Sequence, residues 1–211
     1  DAGRGLAPAL IAASGVGCER WVRAYLRAYL APLLHCFYAY DLVFMPHGEN
    51  LILVMQDHVP VRVLMKDIAE EIAVMDPDAD LPEAVRRIAV EVPQEIKLLS
   101  LFTDVFDCFF RFLAALLDEQ ADCPQARFWE WVAECVHAYQ DAHPQYAQRF
   151  AEHDLFAVTF PLSCLNRLQL RNNRQMVDLA DPAGSLCLVG TLDNPLAVHA
   201  RVRAEPARAT G

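Results

Sequence analysis

Positive charge is scarce in this sequence. Its 211 residues include only two lysines, Lys66 and Lys97, and the formal net charge at pH 7 is −10. No cluster of lysine and arginine is present, which argues against nucleic acid or an anionic membrane surface as a partner. No uncharged apolar run reaches the roughly 18 residues of a membrane-spanning helix, and no signal-peptide pattern opens the sequence.

Cysteine patterns typical of metal sites are also missing. The seven cysteines are an odd number, and they form neither a CxxC pair nor a Cys/His spacing typical of zinc. Cys36 directly follows His35, but neighbouring residues on a helix point in different directions, so a core role is favoured over a nucleophilic one. The pattern predicts a protein of the reducing cytoplasm, where buried cysteines behave as small apolar residues.

Apolar side chains are abundant instead. Hydrophobic residues make up 55% of the sequence, enough for one sizeable core at this length. We therefore expect a single, mostly helical α+β domain over residues 1–197 that carries a small antiparallel β-hairpin. Residues 198–211 are rich in Ala and Arg without an apolar period, which predicts a mobile tail.

Helical periodicity is clearest over residues 18–40, where Arg20, Arg23 and Arg27 occupy the solvated side and Pro32 is a potential kink. The remaining elements are predicted from periodicity and from proline and glycine positions. They are a short helix opening at 81–83, a pair of helices over 95–117, helices over 125–141, 143–153 and 160–170, and strands over 175–179 and 185–189.

Polar residues cluster where a β-hairpin is predicted to close. Residues 51–55 and 61–65 are apolar strand-length runs separated by a turn. Such a hairpin brings Asn50 beside Asp67, with Lys66 next to them and His47 and Glu49 in the preceding loop. An amide oxygen next to a carboxylate can share a divalent cation that also binds phosphates. The alternative is ordinary structure, namely a His-Gly turn with an Asn cap and an Asp opening a helix.

A second polar block lies more than a hundred residues downstream. Residues 166–174 combine three arginines with four side-chain amides within an apolar frame. Arg167 and Arg171 are four apart, so on a helix they share a face with Asn166 close by, and their guanidinium groups could bind a carboxylate or hydroxamate. The alternative is that these arginines pair with some of the chain's 28 acidic residues. Asp104 and Asp107, one turn apart on an earlier helix, could attract a protonated amine.

Taken together, the two blocks resemble the C-terminal half of the siderophore synthetases that work without a nonribosomal peptide template, the aerobactin synthetase-like family. The first block is HGEN at 47–50 with Lys66 and Asp67. The second covers residues 163–173, 175–178, 181–183 and 194–195. The resemblance runs from about residue 18 to residue 195, and it is greatest to the branch that joins hydroxamate units, as in alcaligin and desferrioxamine synthesis.

The resemblance implies an ATP- and Mg²⁺-dependent enzyme with a palm-like C-terminal domain. Such an enzyme adenylates a substrate carboxylate and condenses it with the amine of an N-hydroxy-N-acyl diamine. By resemblance, His47 lies near the activated carboxylate and α-phosphate, and Asn50 and Asp67 lie at phosphate and magnesium. Lys66 is often Arg in relatives, and Glu49 is Gln in some, which leaves its role open. A homodimer is also implied.

One departure from the family is large. Its members are much longer, and their upstream phosphate-binding segment has no counterpart in this sequence. We therefore expect a C-terminal part that is inactive without the N-terminal half of the enzyme. Two other functions remain open from the residues alone. These are a kinase-like phosphotransferase, since kinases also hold a metal with Asn and Asp across a hairpin, and a noncatalytic module that binds a ferric siderophore.

Overall fold

The computed structural model describes residues 3–46, 50–66, 68, 72–163 and 188–201. Within them the chain is a helical body that carries three small antiparallel sheets, which confirms the predicted α+β class. No helix in this part of the chain is long and apolar enough to cross a membrane.

The central element is α2, Cys18–Tyr40, which has the predicted bounds. Its buried face carries large side chains such as Trp21, Tyr29 and Phe37, each at most 2% exposed. Pro32 is tolerated inside the helix on its exposed side. The helix ends because Asp41 adopts a left-handed conformation with φ of 51°, and its N–H bonds back to the Phe37 carbonyl.

Further helices pack around α2 and enclose the core. A short α1 that the sequence did not predict precedes it, and α5, the helix predicted over 125–141, packs along it. Residues 143–153, predicted as one helix, form a 3-10 turn followed by α6. The bounds are Leu6–Ser14 for α1, Gln125–Ala142 for α5, Pro144–Tyr146 for the turn and Ala147–Glu152 for α6. A 3-10 helix at Glu83–Ile88 stands where a short helix was predicted.

The predicted pair of helices over 95–117 is wrong in detail. After a 3-10 turn at Gln94–Ile96, the chain forms one continuous helix made of three parts, α3 (Leu99–Leu101), a π-helical segment (Phe102–Phe110) and α4 (Arg111–Ala121). The wider turn of a π-helix places residues four apart on nearly one face. Phe102, Phe106 and Phe110, which have this spacing, are buried together.

The predicted hairpin is confirmed. Its strands are β2, Leu51–Gln56, and β3, Val59–Met65, paired antiparallel with a bulge at Val54/Met55. Asp57 and His58 both have positive φ, 49° and 65°. This is the geometry of a tight two-residue hairpin turn. A second sheet pairs β1 with β4, which are Leu42–Phe44 and Ile72–Val74.

The third sheet corrects two predictions. Residues 160–163 were predicted helical but belong to β5, Thr159–Ser163, which pairs antiparallel with β6, Leu188–Asp193. Phe160 is buried by stacking on Phe102, with ring centroids 4.6 Å apart, and this tertiary contact favours the strand. The predicted strand at 185–189 overlaps only the start of β6. The predicted strand at 175–179 lies outside the described residues.

The segment after β6 contacts the helical body. A 3-10 helix spans Ala197–His199. His137 Nε2 lies 2.9 Å from the His199 carbonyl oxygen, and the guanidinium of Arg201 binds Asp141 through two contacts of 2.5 and 2.9 Å. These contacts attach residues 199 and 201 to α5.

Candidate active site

Asn50 and Lys66 form the base of the hairpin, which is the end opposite its turn. The Lys66 N–H donates a 3.0 Å hydrogen bond to the Asn50 carbonyl, and the next pair in register is Leu51 with Met65. The hairpin therefore brings together the two ends that the sequence predicted to meet. The Lys66 residue is exposed, whereas Asn50 is only 5% exposed.

The side chain of Asn50 is oriented by its own loop. Its Nδ2 donates a 3.1 Å hydrogen bond to the Met45 carbonyl, across the loop that leads into β2. Because Nδ2 is a donor group, the amide oxygen Oδ1 is the one side-chain atom of Asn50 with the chemistry of a ligand for a hard cation. The loop geometry thus fixes the direction in which that oxygen faces.

Helix α2 holds the hairpin turn through one hydrogen bond and the loop before the hairpin through another. The Trp21 indole N–H donates a 2.8 Å hydrogen bond to the carbonyl of His58 in the hairpin turn. Eight residues further along the helix, the Tyr29 hydroxyl donates a buried 3.0 Å hydrogen bond to the carbonyl of Pro46. Pro46 is buried directly before His47. The helix therefore positions both the turn of the hairpin and the start of the site loop.

Asp104 and Asp107 lie in the π-helical segment, one on each side of the buried Val105–Phe106 pair. Asp104 is close enough to Tyr29 that its charge, after burial as the larger cause, raises the pKa of the Tyr29 hydroxyl. Asp104 therefore lies near the hydroxyl that holds the Pro46 loop. Asp107 instead pairs with Arg111 Nε at 3.2 Å, one helical turn on.

Several predicted site residues lie outside the described part of the chain. They are His47, Glu49 and Asp67 around the hairpin, and Asn166, Arg167 and Arg171 in the second block. The structure therefore brings Asn50 and Lys66 together, and places Asp104 near the loop anchor. The relation of Asp67 to Asn50 stays a prediction from hairpin closure.

The fit of a magnesium ion depends on the donors at the hairpin. Within residues that the structure describes, no three or more His, Cys, Asp or Glu side chains are grouped so as to hold a metal. Magnesium, however, is commonly held by one or two protein oxygens together with substrate phosphates. Asn50 Oδ1 suits that mode, and Asp67 would be the carboxylate beside it.

Sequence reasoning missed the two anchors, Trp21 and Tyr29. They lie with Tyr25 on one stripe of α2, and the three rings stack with centroids 5.8 and 5.3 Å apart. A stripe of aromatic residues four apart predicts a core face, and all three are buried. The available signal was their polar tips, because a buried indole N–H or phenol O–H usually finds a hydrogen-bond partner. Tyr25 carries a hydroxyl as well, so this signal alone does not single out Trp21 and Tyr29.

Residues 19–178 match the family described as ferric iron reductase FhuF-like transporter. The chain belongs to this FhuF-like family, which here is the C-terminal domain of siderophore synthetases. The resemblance stated from the sequence is thereby confirmed.

Two curated relatives support the same assignment. Putrebactin synthase from Shewanella sp. strain MR-4 is 55% identical over 192 residues, a match that covers 91% of this chain and 30% of that protein. Aerobactin synthase from Escherichia coli is 32% identical over 172 residues, covering 78% of this chain and 29% of the relative. The chain thus spans about 30% of the length of these relatives.

A solved structure has the same fold. Aerobactin synthetase IucC from a hypervirulent pathotype of Klebsiella pneumoniae superposes with a TM-score of 0.75 at 27% sequence identity. The match covers 94% of this chain and 34% of that one. The arrangement of α2, the hairpin and the helices around them is therefore that of a domain within a larger synthetase.

Proposed function

We propose that this chain is the C-terminal part of an ATP-dependent synthetase that joins hydroxamate units in siderophore biosynthesis. The observation that carries the proposal is the 55% identity to putrebactin synthase over 91% of the chain, in a fold whose hairpin closes Asn50 onto Lys66. The other similar proteins include a rhizobactin siderophore biosynthesis protein and aerobactin synthases.

The proposed reaction has two balanced steps. A substrate carboxylate attacks the α-phosphate of ATP, forming an acyl adenylate and releasing pyrophosphate. The amine of an N-hydroxy-diamine unit then attacks the acyl carbon, forming the amide and releasing AMP and a proton. Both steps depend on positioning the reactants and on stabilising negative charge at phosphate and carbonyl oxygens.

The hairpin would provide the nucleotide end of the site. His47 would contact the carboxylate or α-phosphate, while Asn50 and Asp67 would supply oxygens to the magnesium ion that accompanies ATP. Lys66 would add positive charge at the phosphates. The exposure of Lys66 and the orientation of Asn50 by Met45 support this assignment. Magnesium would neutralise phosphate charge and orient the leaving pyrophosphate.

The amine-bearing substrate would lie on the other side of the same cleft. Arg167 and Arg171, with Asn166, would bind an anionic end of the substrate, while Asp104 and Asp107 would attract its protonated amine. The position of Asp104 next to Tyr29, which holds the Pro46 loop, supports its half of this role. Asp107 would attract the amine with the negative charge that its ion pair with Arg111 leaves uncompensated.

The proposal includes partners that complete the site. The relatives are about three times as long as the chain, which covers 30% of putrebactin synthase. A preceding N-terminal half would supply the remaining phosphate-binding groups, and the assembled enzyme would be a cytoplasmic homodimer. Without that upstream phosphate-binding half, this chain alone would bind ATP weakly and catalyse no adenylation.

The decisive experiment uses the full-length enzyme with ATP, Mg²⁺ and candidate N-hydroxy-N-acyl diamines. Release of AMP and pyrophosphate, with amide products identified by mass spectrometry, is the expected result. Release of ADP would instead indicate a phosphotransferase. Binding of a ferric hydroxamate without turnover of ATP would indicate a noncatalytic siderophore-binding module, and either result would overturn the proposal.

A further inference from the structure

A groove runs between α2 and β3 on the side of the hairpin that faces the helix. Its volume is about 340 Å³, which lies within the size range of small-molecule sites. Two arginines line it, Arg27 from the helix and Arg62 from the strand. The apolar part of its lining includes Ala28, Leu33, Val63 and Met65. We call it the arginine groove.

The charge of the arginine groove is unbalanced. Among the residues that the structure describes, its lining contains two arginines and no acidic residue. Neither Arg27 nor Arg62 has an ion pair or hydrogen bond among the residues that the structure describes. Other arginines are paired, as Arg149 is with Asp41 at 2.6 Å and Arg201 with Asp141. In a chain with net charge −10, this local excess of positive charge favours an anionic ligand.

The groove also has a direction. Trp21 of α2 is hydrogen-bonded to the hairpin turn, and Tyr29 is hydrogen-bonded to the loop at the hairpin base. The helix therefore runs from the turn of the hairpin towards its base. Arg62 precedes Met65 by three residues of strand, about 10 Å. Met65 directly precedes Lys66, which is bonded to Asn50. Arg62 therefore stands about 10 Å from the hairpin base along β3, and the apolar lining, which includes Val63 and Met65, connects it to that base.

Together these features define the ligand. The guanidinium groups suit a carboxylate, which they can bind with charge-assisted hydrogen bonds. The apolar walls suit a run of methylene groups, whose burial is favourable. An extended chain of about eight bonds spans about 10 Å, judged from the reach of an extended backbone.

We propose that the arginine groove binds an aliphatic carboxylate, with its carboxylate between Arg27 and Arg62 and its chain directed towards the hairpin base. If the proposed function holds, this ligand is the amine-bearing substrate, with its distant carboxylate bound in the groove, its hydroxamate as the anionic group assigned above to the second polar block, and its amine presented to the cleft. The groove would then act as a ruler that selects substrates by the distance between carboxylate and amine.

The first test uses this chain alone, with octanoate as the probe and octylammonium as the charge-reversed control. Calorimetry should detect octanoate and not octylammonium, and methyl NMR signals of Ala28, Val63 and Met65 should shift. Butanoate should bind at least tenfold more weakly because it buries fewer methylene groups. Equal binding of octylammonium, or methyl shifts elsewhere only, would overturn the proposal.

Matched variants locate the carboxylate. Arg27→Gln and Arg62→Gln should each weaken octanoate binding about tenfold, because each removes one charge-assisted contact. Arg20→Gln is the control, since Arg20 is an exposed arginine of the same helix outside the groove lining. It makes the same change in net charge and should leave affinity unchanged. An equal loss in all three variants would show a nonspecific charge effect and overturn the proposal.

The link to catalysis is tested separately in the full-length enzyme. Arg27→Gln and Arg62→Gln should raise the KM for the amine-bearing substrate severalfold and leave the KM for ATP unchanged. Octanoate binding in an enzyme that releases no AMP would overturn the proposed function and leave the groove as an anion site. Amide synthesis by a chain whose groove binds no octanoate would overturn this inference alone.

Discussion

The Tyr29 hydroxyl of α2 donates a 3.0 Å hydrogen bond to the carbonyl oxygen of Pro46, the residue that precedes His47. Burial, and then the nearby charge of Asp104, raise the pKa of Tyr29, so the hydroxyl keeps its proton as a donor throughout the physiological range. A residue of the helical core is thereby connected directly to the segment that carries the HGEN residues.

Removing that hydroxyl should disturb both stability and the site loop. Tyr29→Phe leaves the buried Pro46 carbonyl without its donor, which should lower the free energy of unfolding by about 1–3 kcal/mol in urea titrations. In the full-length enzyme the KM for ATP should rise as well. Tyr38→Phe is the control, because the buried Tyr38 hydroxyl donates to His153 instead, at 2.7 Å. It should cost similar stability without changing the KM for ATP, and an identical kinetic effect would contradict the role of the Pro46 contact.

The carboxylate of Asp67 should be essential for catalysis and dispensable for folding. In the full-length enzyme, Asp67→Ala should abolish pyrophosphate release because the metal loses its protein carboxylate. The melting temperature should stay close to that of the wild type. Glu49→Gln is the matched control, since it also removes one negative charge from the site region and should retain adenylation. Normal pyrophosphate release by Asp67→Ala would show that the metal is held elsewhere.

Arg171 should act on one substrate only. In the full-length enzyme, Arg171→Ala should raise the KM for the hydroxamate substrate about tenfold and leave the KM for ATP nearly unchanged, because a single substrate contacts this residue. Arg167→Ala should behave in the same way if both guanidinium groups bind one anion. A selective loss of affinity for ATP would instead place the second block at the nucleotide.

Stability should fall in mildly acidic solution because of His153. Burial first, and then the charges of Arg149 and Lys97, lower the pKa of His153 from 6.5. Its Nε2 lies 3.1 Å from the Gln94 amide nitrogen, which is a donor, so the neutral ring is the bonded form. A folded state with the lower pKa loses stability as pH falls below the unfolded value, by at most about 1.4 kcal/mol per pH unit.

The measurement is the free energy of unfolding in urea between pH 7 and pH 5. His153→Gln should have a flatter pH dependence than the wild type below about pH 6.5, the unfolded value. His58→Asn is the control, because His58 lies in the exposed hairpin turn at a positive φ that Asn tolerates. Its pH slope should match that of the wild type. An unchanged slope for His153→Gln would refute the assignment.

Local patterns were enough to predict the longest elements. The bounds of α2 followed from its apolar period of 3.6 residues, and the hairpin followed from two apolar runs of strand length. The turn, predicted over 56–60, consists of Asp57 and His58, so β3 begins earlier than predicted, at Val59. Residues 160–163 were predicted wrongly because a short apolar run fits either a helix or a strand. The strand is favoured by Phe160, which stacks on Phe102 and pairs with β6. These long-range contacts cannot be predicted from the local sequence. The π-helical segment was missed for the same reason.

Only the part of the site that hairpin closure brings together could be predicted from the sequence. Hairpin closure by itself predicted that Asn50 meets the end of the second strand, and Lys66 bonds it there. Arg27 was expected on the solvated side of α2 and is exposed. Arg27 lines the same groove as Arg62 because of the way α2 packs on β3. The sequence around either residue does not specify that packing. The arginine groove therefore appears only in three dimensions.

The two hydrogen bonds from α2, one to the hairpin turn and one to the Pro46 loop, also limit how the hairpin can move. A body fastened at one point can pivot in any direction, whereas one fastened at two points retains only rotation about the line that joins them. Here that line runs along α2, from the indole of Trp21 to the hydroxyl of Tyr29. We expect that rocking about this axis would change the width of the cleft between α2 and β3. Asn50 would be displaced little, because its side chain bonds to Met45, next to Pro46 at one end of the axis.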